Sequence, residues 1–216
     1  MSKTYLYSEV HTDVLEQLCE RLKKGAVGIY PTDTVYGIGA LVGDKNQGSL
    51  KKIFEYKKRE LSQTLPLLIS SHEDLERYAQ DIPDSCKKLV ENFWPGALTV
   101  VLKAHPSVPD YLVKDDGSIA LRIPDEKLIC SLIDELGAPL ATTSANIHNM
   151  PAPHSFDELD ERLVEQVDFL IDGGACKKDD ASTIVSFMSE VPEILRQGSL
   201  ARVQIEELIG ECRDRA

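Results

Sequence analysis

Apolar positions along this chain alternate between helical spacing and short continuous runs. Val14, Leu15, Leu18 and Leu22 share one face of a helix that Thr12 or Asp13 can cap. Lys23 and Lys24 suit its negative end, and Gly25 suits a left-handed stop. Residues 26–30 read as a short buried strand, and Leu50, Ile53 and Phe54 mark a second helix. A strand is expected at 65–69, with Pro66 placing it at a strand start or an edge. Ser71 and Asp74 form a capping pair for a helix reaching Tyr78. Another helix runs from Pro83 through Leu89 and Val90 to about Phe93, where Trp94-Pro95-Gly96 breaks it. Further strands fit 98–102, 119–123, 140–143, 169–171, 183–187 and 193–196, and helices fit 128–136, stopped by Gly137, and 156–164. Strands alternating with helices predict a layered α/β fold. Its sheet should be mixed, because the last two strands are close enough for a hairpin. One domain over 1–200 and a short amphipathic tail over 201–216 are the expected organisation.

Composition narrows the class. The 216 residues suffice for one α/β domain with a sizeable core. No apolar run approaches the roughly 18 residues of a membrane span, and the first 13 residues lack the apolar stretch of a signal peptide. A cytoplasmic protein is expected. Lys and Arg number 24 against 36 Asp and Glu, a net charge of −12. That balance opposes a broad surface that tracks nucleic-acid phosphates, although a local basic hollow can still hold a small anion. The five cysteines are scattered and never in CxxC spacing, so reduced thiols fit better than a disulfide frame or a zinc site. Cys176, beside Lys177 and Lys178, could have a lowered pKa, but no base stands near it. The five histidines lack metal-ligand spacing, and Trp94 reads as a core or turn anchor.

Candidate chemistry follows the strands. Pro31-Thr32-Asp33-Thr34-Val35-Tyr36-Gly37-Ile38-Gly39 directly follows a buried strand, where α/β proteins form ligand crevices. Three hydroxyls and two glycines there would let the backbone approach a small polar ligand, and a plain turn is the alternative. Lys57-Lys58-Arg59-Glu60 ends the second helix. Cations stabilise a helix C-terminus without any ligand, yet Lys57 and Arg59, two apart in an extended segment, could clamp successive phosphates. Thr142-Thr143-Ser144-Ala145-Asn146 leaves another apolar strand. Ser144 and Asn146 can face one way toward a nucleotide, or can simply form an Asx or Ser turn. Arg122 in a strand and Arg196 before Gln197-Gly198-Ser199 each need an anionic partner, from a substrate or from an internal Asp or Glu.

In this order the motifs resemble the YrdC-like threonylcarbamoyl-adenylate synthase family, in the short form without the extra C-terminal domain of longer members. The resemblance rests on PTDTVYGIG from Pro31, KKR from Lys57, WPGALT from Trp94, LRIP from Leu121, TSAN from Thr143, STIV from Ser182 and RQG from Arg196. It implies a single α/β domain whose twisted mixed sheet and flanking helices surround a large, locally positive cavity. It also implies ATP with Mg²⁺, L-threonine and bicarbonate as ligands, with a separate complex transferring the product to tRNA. By similarity Lys57 and Arg59 bind the ATP phosphates and carry catalysis, and Ser144, Asn146 and Arg196 line the nucleotide side. Thr32, Thr34, Tyr36, Arg122 and Ser182 shape the threonine side, with Arg122 as carboxylate partner. The chain departs from many relatives in three places: no histidine ends Leu65-Pro66-Leu67-Leu68-Ile69-Ser70, His148-Asn149 replaces a Ser-Gly pair, and Glu126 stands near a common histidine. Two other readings remain in view. One is a non-catalytic RNA-binding or regulatory module, and the other a divergent branch acting on a related carbamoyl adenylate.

Overall fold

Strands carry the core of this chain, and the helices cover them. The computed structural model describes residues 2–58, 65–178 and 180–214. Among these the strands are β1 (Lys3–Leu6), β2 (Val27–Tyr30), β3 (Gly37–Leu41), β4 (Leu67–Leu68), β5 (Ala79–Gln80) and β6 (Leu98–Ala104). They continue with β7 (Ser118–Arg122), β8 (Leu140–Ser144), β9 (Phe169–Asp172), β10 (Thr183–Ser186), β11 (Glu193–Arg196) and β12 (Arg213–Asp214). The helices are α1 (Thr12–Lys23), α2 (Gln47–Lys57), α3 (Glu73–Tyr78), α4 (Asp84–Phe93), α5 (Lys127–Leu136), α6 (Glu161–Val164) and α7 (Arg202–Ile209).

One sheet runs in the order β1-β9-β2-β3-β8-β4-β7-β6-β10-β11-β12, with β5 added beside β6. It is mixed, as expected: β4 lies parallel to β7 and β6 parallel to β10, whereas β3 is antiparallel to both β2 and β8. The β10–β11 hairpin is antiparallel. Alternation along the strands sends side chains to two layers. Leu170 joins Val27, Ile29 and Ala141 under α2, α4 and α7, while Phe169 and Ile171 join Tyr30 and Leu140 under α1 and α5. No helix among the described residues is long and apolar enough to cross a membrane.

Several local expectations shift. His11, not Thr12 or Asp13, occupies the N-cap of α1, without a side-chain bond, and the left-handed residue after that helix is Gly25 at φ 86°. Ser71 meets Asp74 side chain to side chain at 3.3 Å, and His72 holds the N-cap of α3. The single helix expected over 156–164 is divided into a 3-10 turn (Phe156–Glu158) and α6. Leu159 and Asp160 are extended between them, because the Asp160 carboxylate caps the Arg162 amide at 2.9 Å. β1, β3, β5 and β12 are strands that the apolar pattern did not announce. The helix expected in the tail is α7, whose Ile205 is fully buried, and β12 runs parallel to β11.

Candidate functional site

The segment from Pro31 to Tyr36 leaves β2 and doubles back into β3. Thr32 folds it: its hydroxyl donates to Val35 O at 2.7 Å and accepts from the Thr34 and Val35 amides at 3.2 Å each. Thr34 is thereby turned toward the end of β7, where its hydroxyl accepts from Arg122 Nη1 at 3.0 Å. Arg122 Nε donates to Gly96 O at 2.9 Å, and Nη2 lies 2.5 Å from Asp33 Oδ1. Asp33 has no solvent exposure and also takes the Asp125 amide at 3.2 Å, while its Oδ2 has no partner among the described residues. Burial pulls the Arg122 pKa down and the Asp33 carboxylate opposes that pull; the guanidinium stays charged.

Arg196 closes the opposite wall. Its Nη2 donates to Ser182 O at 2.8 Å and to Ser182 Oγ at 3.1 Å, and Ser182 Oγ lies 2.9 Å from Thr99 Oγ1. Arg196 keeps solvent contact at the rim, yet enclosure, and secondarily the like charge of Arg122, depress its pKa. Two guanidiniums thus repel across a shared hollow, and an anion between them would relieve that repulsion. The hollow measures about 170 Å³ and is lined by Thr32, Thr34, Pro66, Leu68, Thr99, Arg122, Ser144, Ser182 and Arg196, with Thr142 and Thr143 beside them. That is below the roughly 300–1,000 Å³ of sites for drug-sized ligands and suits a small polar metabolite.

The turn after β8 forms the third wall. Ser144 Oγ donates to Asn146 Oδ1 at 2.6 Å. Lys57, at the end of α2 and only 3% exposed, donates through Nζ to Ser144 O, to Asn146 O at 2.7 Å and to Asn146 Oδ1 at 2.9 Å. On the far side of this turn a second hollow of about 270 Å³ is lined by Asn146, Met150, Pro151, Pro153, Glu158 and Asp160.

Six residues singled out from sequence therefore meet in one hollow: Thr32, Thr34, Arg122, Ser144, Ser182 and Arg196. Asn146 lines the second hollow, and Lys57 is bonded to the turn whose residues line both. Tyr36 stands apart from the lining. Its hydroxyl donates to Gly174 O at 2.9 Å and accepts the Gly173 amide at 3.0 Å, and its ring meets Phe156 edge-on. Burial raises its pKa to about 12. Arg59 lies outside the described residues. Arg122 was expected to need an anion, and the internal Asp33 supplies one. Asp33 and Thr99 lie inside PTDTVYGIG and WPGALT but carry no signal of their own in the sequence, because a buried carboxylate and a strand threonine look like ordinary turn and sheet residues. Cys176 corrects the expected direction: burial raises its thiol pKa to about 11, outweighing any effect of the neighbouring lysines.

A mixed sheet whose strand ends converge on a hydroxyl-lined hollow between two guanidiniums defines an α/β protein able to take a small anion. Comparison with known proteins then places the chain. It belongs to the Sua5/YciO/YrdC family, whose model, described as Telomere recombination, matches residues 20–198. A Methanocaldococcus jannaschii protein is 37% identical over 193 residues, covering 89% of this chain and 89% of its own. The threonylcarbamoyl-AMP synthase of Pyrococcus abyssi is 36% identical over 192 residues, covering 89% of this chain. Those residues make up 56% of the Pyrococcus protein, so this chain spans little more than half of that relative. The crystal structure of P. abyssi Sua5 complexed with L-threonine matches 100% of this chain and 62% of its own, with a TM-score of 0.91 at 32% identity.

Proposed function

We propose that this chain makes threonylcarbamoyl-AMP from L-threonine, bicarbonate or carbon dioxide, and ATP, in the cytoplasm. The observation that carries the reading is the 170 Å³ hollow in which Arg122 and Arg196 face each other among Thr32, Thr34 and Ser182. It suits an amino acid's carboxylate and small hydroxylated side chain. ATP would lie across the Ser144–Asn146 turn, with its phosphates toward Arg196 and its nucleoside toward the second hollow. Five free cysteines fit a reducing compartment.

The chemistry needs no protein nucleophile. Threonine's amine attacks carbon dioxide, forming an N–C bond and losing a proton, to give a carbamate. A carbamate oxygen then attacks the α-phosphorus of ATP, and the bond to the β-phosphate breaks to release pyrophosphate. Two anions must meet, so fixed cations and oriented hydroxyls are the useful groups. Enclosure would protect the labile carbamate from water. Mg²⁺ would arrive as part of the substrate, on the ATP phosphates. Among the described residues no group of three His, Cys, Asp or Glu offers it a cage of its own. The product would pass to a separate transfer complex acting on tRNA.

The purified chain should release pyrophosphate only when ATP, threonine and bicarbonate are all present, and mass spectrometry should find threonylcarbamoyl-AMP. Pyrophosphate release independent of threonine would reject the assignment. Equal turnover with other amino acids would point instead to a related carbamoyl adenylate, and salt-sensitive RNA binding without turnover to a non-catalytic module.

A further inference from the structure

Tyr7 follows β1 at one edge of the sheet and lines neither hollow. Its hydroxyl nevertheless reaches inward and donates to Glu126 Oε1. Glu126 is only 8% exposed, and the same oxygen accepts from the Leu128 amide at 3.4 Å, which caps α5. A carboxylate enclosed to that degree depends on its donors, and a hydrogen bond to it is roughly twice as strong as one between neutral groups. The Tyr7 ring is placed as well. A Cβ on Gly173 would lie 3.5 Å from Tyr7 Cδ2 and 2.8 Å from Pro31 Cγ. Tyr7 thus closes on the same glycine as Pro31, the first residue of the segment that carries Thr32 and Asp33.

Glu126 also stands close to Arg122 along the chain, and Pro124 stiffens the stretch between them. Asp125, in that stretch, donates its amide to Asp33 Oδ1 at 3.2 Å, the oxygen that lies 2.5 Å from Arg122 Nη2. Among the described residues Oδ2 has no partner, so Oδ1 alone fixes how Asp33 faces the guanidinium. Two further contacts hold the stretch, and both are weaker. Lys177 Nζ donates to Asp125 O at 2.8 Å, but both side chains are more than half exposed, where such pairs contribute little. Cys130 Sγ donates to Pro124 O at 3.4 Å, and a thiol is a weak donor. The Tyr7 bond to an enclosed carboxylate is the strongest of the three.

We propose that Tyr7 is a positioning residue for Arg122: through Glu126 it keeps the Asp125 amide on Asp33, and Asp33 keeps the guanidinium turned to the hollow. This rests on the adenylate-forming reading for the identity of the ligand, an amino acid whose carboxylate Arg122 receives. Reach at position 126 then matters as well as charge. Glu126→Asp would still cap α5, but its side chain is one methylene too short to hold Tyr7. Glu126→Gln keeps both the length and an acceptor oxygen.

The test compares wild type, Tyr7→Phe, Glu126→Asp, Glu126→Gln and the double variant Tyr7→Phe/Glu126→Asp, all confirmed as folded by circular dichroism. Threonine and a non-hydrolysable ATP analogue are titrated separately by calorimetry, alongside KM and kcat for each substrate. Tyr7→Phe keeps the ring against Gly173 and removes only the hydroxyl. It and Glu126→Asp should each weaken threonine binding about fivefold, less than one whole hydrogen bond because the effect passes through Asp33. The threonine KM should rise in step, with kcat and the analogue's affinity within about twofold of wild type. Glu126→Gln should bind threonine within about twofold of wild type, since it still accepts from Tyr7. The double variant should be no worse than the weaker single one, because both break the same contact. Should Tyr7→Phe not fold, the contrast between Glu126→Asp and Glu126→Gln decides alone. Retained threonine affinity in Tyr7→Phe or Glu126→Asp, an equal loss for the analogue, a loss in Glu126→Gln as large as in Glu126→Asp, or multiplicative losses in the double variant would each overturn the proposal. Wild-type protein that binds threonine without releasing pyrophosphate would instead overturn the adenylate reading, since the binding comparison still stands.

Discussion

At Arg122 and Asp33 a charged pair sits where water cannot compensate for losing either partner. Removing one member of such a pair strands the other and costs about 3–5 kcal/mol. Asp33→Ala should lower unfolding free energy by about that amount in urea titration. Asp33→Asn, which still accepts through its carbonyl oxygen, should lose less. Equal, small losses below about 1 kcal/mol in both would mean that the pair contributes little. The need for an anion at Arg122 was legible because the arginine interrupts the apolar run Ile119-Ala120-Leu121. The partner's identity was not, since Asp33 lies far away in sequence and among turn-forming residues. Lys57 was opaque for a related reason. Cations at helix ends are favourable in water, so nothing local revealed that the Ser144–Asn146 carbonyls would come from a distant strand end.

At the scale of elements, β3 shows why part of the site escaped the apolar pattern. Gly37–Leu41 is buried along its whole length, so it has no polar face to set up alternation. Its glycines answer to neighbours: a Cβ on Gly39 would stand 2.1 Å from the Tyr30 hydroxyl and 3.0 Å from Ala141 O. The segment pairs with β8 so that Gly37 faces Ser144, which brings two quoted motifs to one place. A second close approach governs the Arg196 wall. A Cβ on Gly198 would lie 2.1 Å from Ala181 O and 2.7 Å from the Ser182 carbonyl carbon, both backbone atoms that cannot rotate aside. Gly198→Ala should therefore push Ser182 away from Thr99 and Arg196. The expected outcome is a rise in the threonine KM of at least about tenfold, with the far-UV spectrum retained. An unchanged threonine KM would show that the wall gives way without consequence. The strands and helices with clean periodicity were legible in outline, whereas short edge strands such as β1 and β12 carry too few residues to show a period.

At the scale of the whole molecule, the site's walls belong to segments far apart in the chain, and two tyrosine hydroxyls tie other distant segments together. Tyr36 links the segment after β2 to Gly173 and Gly174 after β9. Tyr7 donates to Glu126 at the start of α5, and its pKa too is pushed up to about 12, first by burial and then by that carboxylate. For Tyr36 the sign of the linkage follows from burial, which favours the neutral phenol in the folded state and raises the pKa from 10.0 to about 12. Its contribution is complete below about pH 10 and disappears as pH rises through about 12, amounting to at most about 2.7 kcal/mol for a shift of two units. Tyr36→Phe keeps the ring against Phe156 and removes the titrating hydroxyl. At pH 8 the variant should be the less stable by about 1 kcal/mol, the usual cost of such hydrogen bonds. Between pH 10 and 12 the deficit should shrink and then reverse, because the variant has no phenolate to bury. Thermal melting followed from pH 8 to pH 12 in both proteins reads this directly. A deficit that stayed constant across the range would mean that Tyr36 ionises as freely in the fold as in the unfolded chain, and that the tie between the two segments is not what resists alkali.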